Sequence, residues 1–246
     1  MRLDQRVAEV LWVSRNRAQF FIEHELVRIS GEIARKCSLE VKDAILLEID
    51  EGASQIRFVS RSAQKLDDFL EMTKIMVEWL ICLDIGASTG GFTQVLLERG
   101  ADQVTAIDVG TLQLHERLRS NPKIISLENT DMRHWKSEQR FGIITIDVSF
   151  ISVREVLPVA ICHLEPLGIC IVLFKPQFEV GPNQLKKSGI PKSESIRLKS
   201  IQDFCNWLAE AGIVILNQHA STLFGEAGNQ EVLFALQKTS KNPSYR

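Results

Sequence analysis

From about residue 58 onward, short apolar runs alternate with longer amphipathic stretches. The runs are Leu80–Ile85, Gln103–Val109, Lys123–Leu127, Ile143–Asp147, Gly168–Phe174 and Ile213–Asn217. Strands separated by helical segments predict a mostly parallel sheet with helices packed on it, the α/β class. A seventh run, Glu231–Gln237, follows its predecessor after only a loop and is expected as an antiparallel insertion. The first fifty residues have another rhythm. Leu3, Val7, Val10 and Leu11 mark one helix face, and Ser14 stands where an N-cap would open a second helix that buries Ala18, Phe21 and Ile22. Leu26–Ile29 followed by Ser30-Gly31 reads as strand and turn, with further strand at Val41 and Ala44–Ile49. The pattern predicts a small α+β domain over 1–52, a linker over 53–58, an α/β domain over 59–238 and a frayed tail over 239–246.

Composition narrows the choice of compartment and chemistry. The chain has 246 residues, 45% of them hydrophobic, enough for a sizeable core. The most apolar stretch, Ile75–Leu83, is short and broken by Glu78, and the N-terminus carries Asp4 without the apolar region of a signal peptide. No membrane contact and a cytoplasmic location are therefore expected. The five cysteines (Cys37, Cys82, Cys162, Cys170 and Cys205) form no C-x-x-C pair and have no histidine cluster beside them, so neither a disulfide framework nor a metal site is expected. The net charge of −2 gives no global sign of a nucleic-acid binder, so any such face must be local.

The most informative stretch is Leu83-Asp84-Ile85-Gly86-Ala87-Ser88-Thr89-Gly90-Gly91-Phe92, an apolar strand running through a glycine-rich turn into a helix. Glycines allow positive φ and close approach of backbone to a ligand. The helix is expected to bury Phe92, Val95 and Leu96 and to end at Arg99-Gly100. Asp108 closes the next strand, where an acid can hold ribose hydroxyls. The spacing is not G-x-G-x-x-G; it fits a nucleoside cofactor without a pyrophosphate, such as S-adenosylmethionine, better than a nicotinamide dinucleotide. Candidate cofactor-binding residues are Asp84, Gly86, Ser88, Thr89, Gly90, Gly91, Asp108 and Asp131. Asp131 has two readings, as a reader of the adenine amino group or as a helix N-cap.

Two further strand ends carry chemistry. Asp147 ends the fourth strand and Lys175 ends the fifth. Ligands of open α/β sheets gather outside the carboxyl ends of strands, which brings this pair beside the cofactor. Methyl transfer from a sulfonium needs little help for the leaving group. A hydroxyl acceptor needs a base or a cation, and in-line positioning, and a lysine can serve. The plain alternative is a structural salt bridge.

These segments carry a resemblance. Val59–Leu66, Asp84–Thr93, Ala106–Gly110, Asp147–Ser152, Phe174–Glu179 and Gly225–Glu231 resemble the FtsJ-like RNA 2′-O-methyltransferases, and more closely the TlyA/hemolysin A group of ribosomal RNA methyltransferases. The resemblance implies a Rossmann-like class I methyltransferase with a seven-stranded sheet, S-adenosyl-L-methionine as cofactor, and a catalytic tetrad at Lys65, Asp147, Lys175 and Glu231. It implies a cytidine 2′-hydroxyl of ribosomal RNA as acceptor. Members acting on both ribosomal subunits carry extra terminal length, and this chain starts almost at its first motif, so large-subunit RNA is expected. The first fifty residues resemble an S4 RNA-binding domain through Arg2-Leu3-Asp4, Ser14-Arg15-x-x-Ala18 and Val27–Gly31, which makes Arg2, Arg15, Arg17 and Arg28 the candidate RNA contacts. The chain departs from the family at Glu25, usually glycine, and Ser30, usually asparagine. It departs also at Ser62-Ala63, usually a glycine pair, and at Ser188-Gly189-Ile190-Pro191, where a glycine- and valine-rich loop is usual. Three other readings compete: a catalytically silent RNA-binding module, a pore-forming hemolysin, and a nicotinamide oxidoreductase, which the glycine spacing disfavours.

Overall fold

The computed structural model describes residues 1–10, 15–23, 25–42, 45–49, 58–225 and 227–238. It divides into two compact units, Met1–Arg61 and Ser62–Arg246.

In the small unit, α1 (Leu3–Val10) and α2 (Arg15–Glu23) accompany an antiparallel sheet of order β2-β1-β3, formed by β1 (Val27–Ile29), β2 (Glu32–Ile33) and β3 (Leu47–Ile49). Leu3, Val7, Ala18, Phe21, Ile22, Val27, Ala34 and Val41 form its core. Val10, expected on the buried face, is 48% exposed: it is the last residue of α1 and lies outside that core. The expected N-cap at Ser14, and Leu11, Ala44, 50–54 and 239–246, lie outside the described residues. Ser30 and Gly31 join β1 to β2 with φ of 51° and 84°, the left-handed pair that suits a two-residue hairpin. Glu25 also sits at positive φ, 60°. These two non-glycine residues stand where the resembled family has glycine and asparagine, the residue types that adopt this conformation most readily.

The large unit holds a seven-stranded sheet of order β6-β5-β4-β7-β8-β10-β9. Its strands are β4 (Ile81–Ile85), β5 (Gln103–Ile107), β6 (Ile124–Leu127), β7 (Phe141–Ile146), β8 (Leu164–Phe174), β9 (Ile213–Ala220) and β10 (Val232–Lys238). The mostly parallel sheet expected from the pattern is present, and β10 inserts antiparallel between β8 and β9. The helices are α3 (Arg61–Thr73), α4 (Gly91–Glu98), α5 (Glu116–Arg119), α6 (Val153–Ala160), α7 (Pro176–Glu179) and α8 (Glu194–Glu210). Every residue of β7 is buried, as a central strand covered on both faces requires. Phe174 of β8, Phe204 of α8 and Phe234 of β10 pack with centroids 4.6–6.0 Å apart and tie the antiparallel edge to the parallel centre. Phe92, Val95 and Leu96 of α4 are buried, and Gly100 follows the helix at φ +90°, with Ala101 donating to Leu96. From β4 the chain steps outward through β5 and β6, then returns to β7 on the other side. That reversal opens a crevice at the carboxyl ends of β4 and β7.

Candidate active site

A cavity of about 490 Å³ lies at this reversal. Its walls are the strand ends: Ile85 at the end of β4 with Gly86 after it, Ile107 at the end of β5 with Asp108 after it, and Asp147 and Ser149 after β7. The size suits a small organic ligand. Gly86 has φ +78°, and a Cβ there would stand 2.5 Å from the carbonyl oxygen of Asp147, so only glycine lets the turn pass this close to β7. The Asp108 carboxylate accepts from the backbone N–H of Ser88 at 2.7 Å and of Gly110 at 2.7 Å. These donors fix the carboxylate at the strand end, and a carboxylate has lone pairs left for a ribose diol.

The other loop residues divide by position. Ser88 lines the cavity; Thr89, Gly90 and Gly91 do not. Gly90 precedes α4 at φ +92°, Thr89 accepts from His115 at 3.1 Å, and both serve the turn's own geometry. Asp84 is also absent from the cavity wall. It is fully buried beneath the turn and accepts from Thr93 Oγ1 at 2.6 Å and Thr145 Oγ1 at 2.8 Å, which ties α4 and β7 to β4. Burial pushes its carboxyl up to about 6. Asp131 lines the cavity, but no α-helix follows it. Its carboxylate accepts from Arg133 Nη2 at 2.8 Å and from the Arg133 backbone at 2.9 Å, so it caps a turn. The Arg133 guanidinium holds that carboxyl down at about 2.

The four residues of the implied tetrad form two pairs. Lys175 Nζ lies 2.7 Å from Asp147 Oδ1 and donates to Ser149 Oγ at 2.9 Å. The contact with Oδ1 lacks hydrogen-bond alignment, so this buried oxygen has an ionic neighbour but no aligned donor among the described residues. β8 ends at Phe174, and Pro176 opens α7 at its first position, which fixes where Lys175 leaves the strand. The second pair joins residues 166 apart in sequence: Lys65 Nζ of α3 donates to Glu231 Oε2, just before β10, at 2.6 Å. A Cβ on Gly225 would stand 2.7 Å from Glu231 Oε1, so glycine there makes room for the carboxylate.

Sequence reasoning missed Ser149, the second partner of Lys175. The signal was available, because an extended segment puts residues i and i+2 on one side, and Ser149 is two beyond Asp147. It missed Arg133 as the partner of Asp131. It also missed Thr93 and Thr145, whose short side chains give no sign of a buried carboxylate until the strands are paired. In the small unit, Arg2 and Arg15 both bind the buried Asp4 (Nη2 to Oδ2 3.1 Å and Nε to Oδ2 3.0 Å), and Gln19 donates to it at 2.8 Å. The motif residues Arg2, Asp4 and Arg15 thus form one internal network, which holds the Asp4 carboxyl well below the usual range. Arg2 and Arg15 remain 42% and 46% exposed, and Arg28 contacts the Gly31 carbonyl oxygen. The side chain of Arg17 lies outside the described residues.

An open sheet with an antiparallel strand inserted beside its last edge, a glycine turn and a strand-end acid around a nucleoside-sized crevice define a class I methyltransferase. The FtsJ-like methyltransferase family matches residues 58–238, and the chain belongs to it. Its cofactor is S-adenosylmethionine, and of the residues expected to bind it Gly86, Ser88, Asp108 and Asp131 line the cavity. The chain is 42% identical to the 23S rRNA (cytidine-2′-O)-methyltransferase TlyA of Campylobacter jejuni, over 95% of this chain and 98% of that one. It is 38% identical to the 16S/23S rRNA (cytidine-2′-O)-methyltransferase TlyA of Mycobacterium tuberculosis, over 91% and 84%. A solved structure from Streptococcus thermophilus, described as a hemolysin, matches with a TM-score of 0.72 at 34% identity, covering 98% of this chain and 89% of that one. No described helix is long and apolar enough to cross a membrane.

Proposed function

We propose that the protein transfers the methyl group of S-adenosylmethionine to a cytidine 2′-hydroxyl of ribosomal RNA, with the large subunit as its substrate. The observation that carries the chemistry is Lys175, held 2.7 Å from Asp147 at the ends of β8 and β7, where Asp147 and Ser149 line the cavity. Bound S-adenosylmethionine supplies a methyl group on a sulfonium whose departure leaves a neutral thioether. Lys175 Nζ carries three N–H donors; one goes to Ser149, Asp147 Oδ1 is an unaligned ionic neighbour, and donor capacity not used by the described residues is left for a substrate hydroxyl. An ammonium there orients the hydroxyl and stabilises the negative charge that develops on its oxygen as the O–CH3 bond forms and the S–CH3 bond breaks, while the hydroxyl proton passes to solvent. Asp147 keeps the lysine in place. Lys65 and Glu231 are the supporting pair that places the ribose.

The acceptor is argued from the relatives, both named as cytidine-2′-O enzymes on rRNA, and the relative named for 23S rRNA shares more identity than the one named for 16S and 23S rRNA. The small unit is read as an S4-type RNA-binding domain, with Arg2, Arg15, Arg17 and Arg28 as contacts. A cytoplasmic location accords with this substrate. The test is to incubate purified protein with ribosomal subunits and methyl-labelled cofactor, then map the product. Ribose methylation of a large-subunit cytidine is expected. Methylation on a base, or none, contradicts the proposal.

A further inference from the structure

Between α7 and α8 the chain makes a small hairpin whose charge differs from the rest of the protein. Leu185 and Pro191 form an antiparallel bridge; Lys186 N–H donates to the Ile190 carbonyl at 2.8 Å, Lys192 N–H to Gln184 at 2.8 Å, and Gly189 N–H to Lys186 at 2.9 Å. Gly189 closes the turn at φ +79°. Pro191 is buried and Leu185 and Ile190 are partly covered, whereas Lys186, Lys187 and Lys192 are all exposed. No Asp or Glu occurs from Val180 to Ser193, in a chain whose net charge is −2. The acid that follows, Glu194, is engaged by Arg197. None of the three ammonium groups has an ion-pair partner among the described residues. The hairpin starts just after α7, which begins beside Lys175, and its tip meets the segment that leads to Glu231. Asn229 Nδ2 lies 3.5 Å from the Gly189 carbonyl oxygen, and Ile190 Cδ1 would stand 3.8 Å from a Cβ on Gly228. Three unpaired cations are thus held on a hydrogen-bonded frame braced against the turn that carries Glu231.

We propose that this hairpin is a substrate arm that grips the phosphates of the RNA backbone next to the target nucleotide. The inference rests on the functional reading above and adds where the catalytic unit itself holds RNA. Lysines act on phosphate as point charges and displace condensed counterions, so their contribution is sequence-independent and salt-dependent. A frame fixed by backbone hydrogen bonds and a buried proline presents those charges with little ordering left to do on binding.

The test uses the full chain with large-subunit rRNA as probe. In Lys186→Gln/Lys187→Gln/Lys192→Gln, the KM for RNA should rise about tenfold or more at physiological salt. The slope of log Kd against log salt should become shallower by about 2–3, the loss expected for three phosphate contacts. The rate at saturating RNA, the affinity for S-adenosylmethionine and the thermal midpoint should stay at wild-type values. The triple Lys→Arg variant, which keeps the charges on the same frame, should restore KM. Wild-type KM and salt slope in the Gln variant, with wild-type protein methylating rRNA, overturn the arm and leave the functional reading standing. A wild-type protein that does not methylate rRNA overturns both.

Discussion

Lys175 and Asp147 meet at 2.7 Å with each side chain 13% exposed at the cavity edge, whereas Lys65 and Glu231 meet at 2.6 Å with 9% and 4% exposed. The chemistry of the two pairs is the same, but their surroundings are not. Asp147 lines the cavity and keeps one oxygen without an aligned donor, and Lys175 gives its hydrogen bond to Ser149. Such a pair has room to respond to a ligand. The other pair closes a contact between α3 and the segment before β10 and is nearly sealed from water. A charge removed there leaves its partner buried and uncompensated, so the pair is committed to holding structure whatever it also does for substrate.

Breaking the sealed pair on one side should have the largest effect on stability. Lys65→Ala or Glu231→Ala is expected to lower unfolding free energy by about 3–5 kcal/mol, read by urea denaturation. Lys65→Met with Glu231→Leu should recover most of that stability without recovering methyl transfer. Recovery of activity as well would reduce the pair to a scaffold. At the open pair, Ser149→Ala should slow transfer by about 10–100-fold, the weight of one hydrogen bond to a charged group, with the denaturation midpoint unchanged.

Buried under the glycine turn, Asp84 makes a pH prediction. Its folded-state carboxyl titrates at about 6, above the unfolded value near 3.9, so the folded state binds the extra proton between those values. Stability should therefore fall as pH rises from about 4 to about 6 and stay at the lower level above that, and Asp84→Asn should flatten this part of the profile. The smallest expected effects are in the small unit. Glu25→Gly and Ser30→Asn replace residues at φ of 60° and 51°, and each should raise its stability by up to about 1 kcal/mol. The Glu25→Gly gain survives loss of the exposed Arg35–Glu25 ion pair, since such pairs contribute little.

The fold of the large unit could be read from its sequence because each β-strand is a compact apolar run and the glycine turn punctuates the first of them. Asp147 and Lys175 were visible because a charge directly after a buried strand must emerge at the sheet's carboxyl edge. Lys65 and Glu231 were not. One lies on an amphipathic helix and the other before the last strand, where charges are ordinary, and only the folded sheet brings them together; resemblance alone singled them out. Asp84 is placed away from the cavity wall. A strand-end acid before a glycine turn was read as a ligand contact, but in a strand alternate side chains point to opposite faces. Its carboxylate turns to Thr93 and Thr145 instead of the crevice.

The central claim is that Lys175, held by Asp147, acts on the acceptor hydroxyl. Single-turnover transfer by Lys175→Ala, with S-adenosylmethionine saturating and its Kd measured in parallel, tests this most directly. The rate should fall by about 10²–10³ while cofactor affinity and the thermal midpoint stay at wild-type values. Wild-type turnover in a folded variant, or a loss traceable entirely to weaker cofactor binding, would contradict it.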